Sequence, residues 1–331
     1  MIKLKTSIFL ILFLGFISFL YSQEQHPSFS FDGVLKNKFE YVPNSNESRF
    51  SVRNSRLGLS GKIAPLINYR AQLEFSSEGK FQVLDLSATI SPWENISFTL
   101  GQTIVPFLNS YTTHPGIMMF ANRTFLAKYF ANTRDIGAVG QYHTHFGAIP
   151  IGFEAGIYNG NAINKPVWRN RLSYAMRLRL GDLNGFRTMV KIYDYPNLPE
   201  QHYFFYGIEA RYAANNWKIE TEAVKRNDKI HQKNLFATYL QGAYCFPIKG
   251  NLFKSVIPAL RWDTVDQSDN NTNFDVQRWT MGIGLGLTEK PFSSLLRFDY
   301  EWYSVKKRLP DLFQTPQMDA NKFTVELVLN F

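Results

Sequence analysis

The chain closes with Lys322-Phe323-Thr324-Val325-Glu326-Leu327-Val328-Leu329-Asn330-Phe331, where apolar residues alternate with mostly polar ones. Residues two apart in a strand share a face, because successive side chains point to opposite sides. This period puts Phe323, Val325, Leu327, Leu329 and Phe331 on one side and Lys322, Thr324, Glu326 and Asn330 on the other, with Val328 the one apolar residue on the polar side. A single strand of this kind fits the edge of a soluble sandwich as well as a wall between lipid and water. Repetition separates the two. Alternating stretches of about ten residues, bounded by Gly, Pro, Asn or Asp clusters, recur roughly 16 times. They run from Phe29–Tyr41 and Arg49–Lys62, through Arg171–Gly181 and Phe186–Tyr193, to Leu295–Ser304 and Lys322–Phe331. The expected fold is all-β: a transmembrane antiparallel β-barrel of about 16 strands, the size at which a barrel leaves an aqueous channel.

The other end of the sequence reads as a targeting segment. Lys3 and Lys5 precede an apolar run from Ile8 to Leu20, and Leu20-Tyr21-Ser22 places a small residue before the polar Gln23-Glu24-Gln25. These are the three regions of a secretory signal, and the run falls short of the roughly 20 apolar residues that a helical span needs. Residues 1–22 are therefore expected to be a signal peptide cleaved after Ser22, and residues 23–331 a single barrel domain reaching the outer membrane by Sec-type export. An even strand count puts both termini on the periplasmic side. The 29 Phe and 17 Tyr coexist with a mean hydropathy of −0.22, which fits alternation with aromatic girdles. The single Cys245 excludes an intrachain disulfide.

The longest interruption lies between the fifth and sixth strands, from Pro106 to about Asp135. It carries Ile117-Met118-Met119-Phe120, Phe125-Leu126 and Tyr129-Phe130, with Arg123, Lys128 and Arg134 among them. A loop this apolar needs a surface to bury itself on. We expect an in-folded constriction loop that packs its apolar side on the wall and turns its cations to the lumen; an uncounted pair of short strands is the competing reading.

The formal net charge is +9, or about +7 once Lys3 and Lys5 leave with the signal. Such a balance suits nucleic acid or acidic glycans as well as a pore that concentrates anions. Facing decides. In the eighth strand Arg171, Ser173, Ala175, Arg177 and Arg179 lie opposite Leu172, Tyr174, Met176, Leu178 and Leu180. By the same alternation Arg187 and Lys191 of the ninth strand, Arg211 of the tenth, and Arg56 and Arg70 near the N-terminus point inward. With the loop cations these residues make the expected anion pathway, with small anions and outer-membrane lipid as partners and no nucleic acid. Glu74, Asp85, Glu209, Glu220, Glu222, Asp299 and Glu301 point inward too, so net anion attraction and a balanced, weakly selective lumen both stay open.

No Ser-His-Asp arrangement stands out, so no enzyme, catalytic residue or cofactor is expected. His143 and His145 share a face of the sixth strand, but two imidazoles without a carboxylate pattern make a poor metal site. A structural or adhesin-type barrel with a blocked lumen stands as the non-transport alternative.

Five segments carry a resemblance: Val52-Arg53-Asn54-Ser55-Arg56-Leu57-Gly58-Leu59-Ser60-Gly61-Lys62, Asn68-Tyr69-Arg70-Ala71-Gln72-Leu73-Glu74, Leu100-Gly101-Gln102-Thr103-Ile104-Val105-Pro106-Phe107, Arg134-Asp135-Ile136-Gly137 and Gly156-Ile157-Tyr158-Asn159-Gly160. In order and spacing they resemble the phosphate-selective porin O and P family. The resemblance implies a 16-stranded, homotrimeric porin whose third external loop constricts the channel and which passes phosphate or other small anions passively.

Overall fold

The computed structural model describes residues 27–77, 80–108, 113–130, 133–182, 184–198, 201–267 and 274–331. The expected signal peptide, with its cleavage after Ser22, lies outside them. Sixteen strands make the wall: β1 Ser28–Val42, β2 in two segments Glu47–Val52 and Arg56–Ala64, β3 Ile67–Ser77, β4 Lys80–Trp93, β5 Ile96–Ile104, β6 Arg134–Phe146, β7 Ile149–Tyr158 and β8 Ser173–Gly181. They continue as β9 Gly185–Leu198, β10 Gln201–Ala214, β11 Trp217–Asp228, β12 in two segments Leu235–Tyr244 and Phe246–Pro247, β13 Ser255–Asp266, β14 Val276–Gly286, β15 Leu295–Val305 and β16 Lys322–Asn330. Every pairing is antiparallel and sequential, and β1 closes the barrel on β16 with Leu35 opposite Leu329 and Tyr41 opposite Phe323. Closure leaves no sheet edge to meet lipid unpaired. The backbone of the C-terminal Phe331 takes part, exchanging hydrogen bonds with Gly33 at 2.9 and 3.1 Å.

Two strands are interrupted. In β2 the break at Arg53-Asn54-Ser55 has Asn54 at φ 57, and the Ser55 hydroxyl accepts the Lys36 N–H at 3.0 Å, so pairing to β1 persists across it. In β12 the break falls at Cys245, whose side chain is buried and whose N–H reaches the Asn216 carbonyl at 2.9 Å. The Cys245 side chain therefore lies on the inner face, packed in the buried cluster with Ala243 and Ile257.

The turns divide by length. The two-residue connections 65–66, 94–95, 147–148 and 215–216 share an end with both chain termini, as do 248–254 and 287–294, whereas the longest, 105–133, 159–172 and 306–321, lie at the other. Asn215 and Asn216, at φ 50 and 66, make the tight hairpin turn that such a strand twist favours. This asymmetry is that of barrels with short periplasmic turns and longer external loops.

The outer face is apolar and exposed, with Phe31, Leu35, Phe98, Leu100, Ile208 and Ile283 among its residues. Aromatic rings gather toward both rims. Trp262, Trp279 and Trp302 stand in register across β13, β14 and β15 near the long-loop end, and Trp217 and Phe246 both pack edge-on against Tyr244 near the short-turn end. Amphipathic rings at two levels mark the headgroup regions of a bilayer. Among the described residues no helix is long and apolar enough to span one.

Candidate ion pathway

The segment between β5 and β6 carries no strand among its described residues. It contains a single 3-10 turn, Pro115–Ile117, and one short helix, α1, Phe125–Tyr129, capped by Thr124, whose hydroxyl accepts the Ala127 N–H at 3.2 Å. Irregular backbone removed from water must find hydrogen-bond partners, and here the inward side chains of the wall supply them. The carbonyl of Gly116 accepts from Asn330 Nδ2 at 2.9 Å, Ile117 from Lys218 Nζ at 2.6 Å, Met118 from Arg297 Nη1 at 2.6 Å, Asn122 from Arg261 Nη1 at 2.9 Å and Arg123 from Arg278 Nη2 at 2.8 Å. In return the N–H groups of Ala121 and Phe125 donate to the carboxylates of Asp299 (2.7 Å) and Asp263 (2.9 Å). The apolar residues of the segment are buried with it. Phe107 packs on Tyr193 and Phe205, and Phe125 on Phe313.

The cations that hold the segment also pair with acids. Arg278 bonds Asp263 (2.6 Å) and Glu301 (2.9 Å), Arg297 bonds Glu326, Lys36 lies 3.2 Å from Glu326, and Lys38 bonds Glu40 at 2.7 Å. All these side chains are buried. A charge removed from water needs both a counter-ion and hydrogen bonds on its remaining positions, and the loop carbonyls complete what the carboxylates leave. Alternation had pointed Asp299 and Glu301 inward. Lys36, Lys38, Lys218, Arg261, Arg278 and Arg297 were missed, although the same signal marks them: Arg261 stands between Leu260 and Trp262, Arg297 between Leu296 and Phe298.

The residues expected along the anion pathway fall into groups. Arg56 (on Glu74, 2.8 Å) and Arg134 (on Asp85, 2.8 and 3.2 Å) are buried in pairs on adjacent inner positions. Arg187 and Lys191 share Glu209 at 3.0 and 2.8 Å; Lys191 also bonds Glu222 and lies beneath the Phe107 ring. Arg211 bonds Glu220, and Arg70 bonds Asp32 through both terminal nitrogens. Arg171 precedes β8 at the external rim, 3.3 Å from Asp194, while Arg177 bonds Glu154 at 2.8 Å. Arg179 departs from this pattern: its Nη2 faces His143 Nδ1 at 3.2 Å, and no carboxylate among the described residues pairs with it. Gly152 makes that possible, since a Cβ there would stand 2.8 Å from Arg179 Nη2. Arg123 reaches the Thr113 carbonyl at 3.4 Å, and Lys128 projects from α1 with its side chain exposed. His143 and His145 are joined by no third ligand, and the described residues hold no cluster of three or more His, Cys, Asp or Glu that could bind a metal.

Away from the Arg56–Glu74, Arg134–Asp85 and Arg70–Asp32 pairs, the opposite wall is built from smaller groups. Ser60, Arg70, Ser87, Gly101 and Gly137 follow one another in register across β2 to β6, and Asn68, Thr89, Thr99, Val139 and Gly156 across β3 to β7. The hydroxyls satisfy one another, Thr89 with Thr99 at 2.8 Å and Ser30 with Ser60 at 3.1 Å, and the Ser97 hydroxyl donates to Gln141 at 2.9 Å. Gly101 at φ 122 has no room for a side chain, because a Cβ would collide with the Leu86 carbonyl oxygen. Most of these positions keep solvent access, whereas those of the facing wall do not.

A closed barrel with apolar exterior, paired aromatic rims and charged interior is the architecture of an outer-membrane porin. Solved porins share it at low identity. The anion-selective porin from Comamonas acidovorans superposes with a TM-score of 0.66 at 14% identity, covering 92% of this chain and 100% of that one. OmpF of Salmonella typhi, in complex with daunomycin, gives 0.62 at 13% identity, covering 92% and 97%. The outer-membrane channel DcaP of Acinetobacter baumannii gives 0.62 at 12% identity, covering 94% and 99%. By sequence, residues 30–180 match the family described as phosphate-selective porin O and P. No curated protein matches the sequence.

Proposed function

We propose that this protein is a passive outer-membrane channel for small anions, phosphate or similar, exported with residues 1–22 as a cleaved signal and assembled as a homotrimer. The observation that carries the anion preference is an asymmetry within ion pairs. Along β8 to β11 the cation is the exposed partner: 58% against 4% for Arg171–Asp194, 17% against 7% for Arg177–Glu154 and 13% against 2% for Arg211–Glu220. Counted by charge these pairs are neutral, but water and solutes meet the guanidinium. Low-dielectric walls focus that field into the passage, and the planar fork of arginine suits phosphate oxygens. The segment between β5 and β6 acts as the in-folded constriction, narrowing the lumen toward the hydroxyl-lined wall. Arg179, which has no acid of its own, is the strongest single attractor for anions passing below it.

A weakly selective lumen is the second reading, favoured by the number of cations that are paired and fully buried, Lys191 above all. Reversal potentials under a salt gradient separate the two. Arg177→Gln with Arg179→Gln removes two lumen charges while keeping hydrogen-bonding capacity, and is expected to shift the reversal potential toward cation selectivity, most strongly in dilute salt where screening over about 10 Å at 0.1 M is relaxed. An unchanged potential, or a wild-type channel that already prefers cations, supports the weakly selective reading.

A further inference from the structure

At the long-loop end, outside the wall pairs described above, a cavity of about 550 Å³ opens between the outer ends of β9 to β12 and residues 309–312. One part of its wall is rings and aliphatic groups, Phe130 of the β5–β6 segment, Tyr195 of β9, Tyr203 and Phe205 of β10, with Leu309 and Leu312 closing one side; the rest is polar and charged, Asp228, His231, Lys233 and Asp311 among it. The rings support each other, Tyr203 meeting Phe205 edge-on at 6.0 Å and Phe205 stacking on Tyr193 at 5.6 Å. Such rings offer rigid apolar surface at low entropic cost. The size suits a molecule of one ring and its substituents.

Among the rings projects one guanidinium. Arg226 lies over the Tyr203 ring at 4.5 Å and 5.9 Å from the centre of the Phe130 ring. Its Nε is buried with no hydrogen-bond partner. No carboxylate among the described residues lies within ion-pair distance of it, in contrast with inward arginines such as Arg56, Arg177, Arg211 and Arg278. The nearby acids are engaged elsewhere: Asp228 accepts the N–H groups of Ile230 and His231 at 3.0 and 2.9 Å, and Asp311 faces Lys233 at 3.9 Å. A cation held against rings, with donor capacity unspent, has a definite complement.

We propose that this external cavity is a binding site for organic anions with a flat apolar body, aromatic monocarboxylates being the class, with the carboxylate on Arg226 and the ring against Tyr203 and Phe205. Inorganic phosphate is small and strongly hydrated, and gains nothing from aromatic walls. A neutral sugar would stack but leave the guanidinium unpaired. The site lies at the entrance, so it loads the mouth with a class of solute different from the small inorganic anions proposed for the passage.

Calorimetry on the detergent-solubilised barrel tests this, with benzoate as the probe and acetate, benzyl alcohol and inorganic phosphate as comparators. Benzoate is expected to bind at least tenfold more tightly than each comparator. Arg226→Gln should weaken benzoate at least tenfold and Tyr203→Leu several-fold, with both variants still showing the folded, heat-modifiable band. Benzyl alcohol binding as tightly as benzoate, or a folded Arg226→Gln variant with undiminished affinity, overturns the proposal. Reversal potentials, which test the proposed passage, do not read this equilibrium, so each reading fails on its own measurement.

Discussion

Two walls of one barrel solve the same problem in opposite ways. On β11 to β16 and β1 the inward positions are filled by long charged side chains that pair with one another and hold the backbone of the β5–β6 segment. On β2 to β7 the pairs Arg56–Glu74 and Arg134–Asp85 are interspersed with Ser, Thr, Asn and Gly at inward positions, short groups most of which keep contact with solvent. The first wall resembles a protein interior, with its charges desolvated and mutually satisfied. The second resembles a wetted surface, where a hydroxyl can exchange a neighbour for water at little cost. Solvent access along the wall is therefore set by side-chain length as much as by charge.

The largest test of this contrast is removal of the segment itself. Deleting residues 114–128 should raise single-channel conductance several-fold and flatten ion selectivity. A folded deletion variant with unchanged conductance would mean that the two walls do not differ in the way described.

Next come single substitutions placed on each wall. Arg278→Ala leaves Asp263 and Glu301 buried without their shared cation, and breaking such a pair costs about 3–5 kcal/mol. It should lower the temperature at which the folded band is lost in semi-native gels. Thr89→Ala, which removes one hydroxyl from the solvent-reachable wall, should cost about 1 kcal/mol or less. Similar losses for both would erase the distinction.

The smallest effect is one of pH. Burial, and after it the cations Arg56, Arg70 and Arg123, hold the His114 imidazole down to about 4, with Asp32 acting in the opposite sense. Its Nδ1 accepts the Gly116 N–H at 3.3 Å, which requires that nitrogen to be unprotonated. The sign follows: the docked segment favours neutral His114, so docking is strongest above the ordinary value near 6.5, weakens as pH falls toward 4, and loses nothing further below that. Channel recordings at pH 4.5 should show more conductance noise than at pH 7.5. His114→Asn, which keeps a capping side chain without the titration, should remove the difference; a variant as pH-sensitive as the wild type would place the effect elsewhere.

Much of this was legible in the chain. Alternation marked all sixteen strands, including Arg49–Lys62 and Leu235–Phe246, which the structure breaks at Asn54 and Cys245 without losing their pairing. It also turned Arg56, Arg187, Lys191 and Arg211 inward, together with the acids that proved to be their partners. Alternation gives a face and nothing more. It does not say that Lys191 has no water in front of it, that Arg179 crosses Gly152 to reach a histidine, or that Arg226 lies on Tyr203.

By itself, then, the sequence determined the barrel, its strand count, and the apolar and polar sides of its wall, because period-2 patterning is local and each strand declares its own two faces. The tertiary structure alone decided which inward cations meet water and which are spent on a carboxylate or a loop carbonyl. That outcome depends on registers between strands and on a segment whose carbonyls find donors up to 214 residues away, as Gly116 does on Asn330, and no local pattern records such distances.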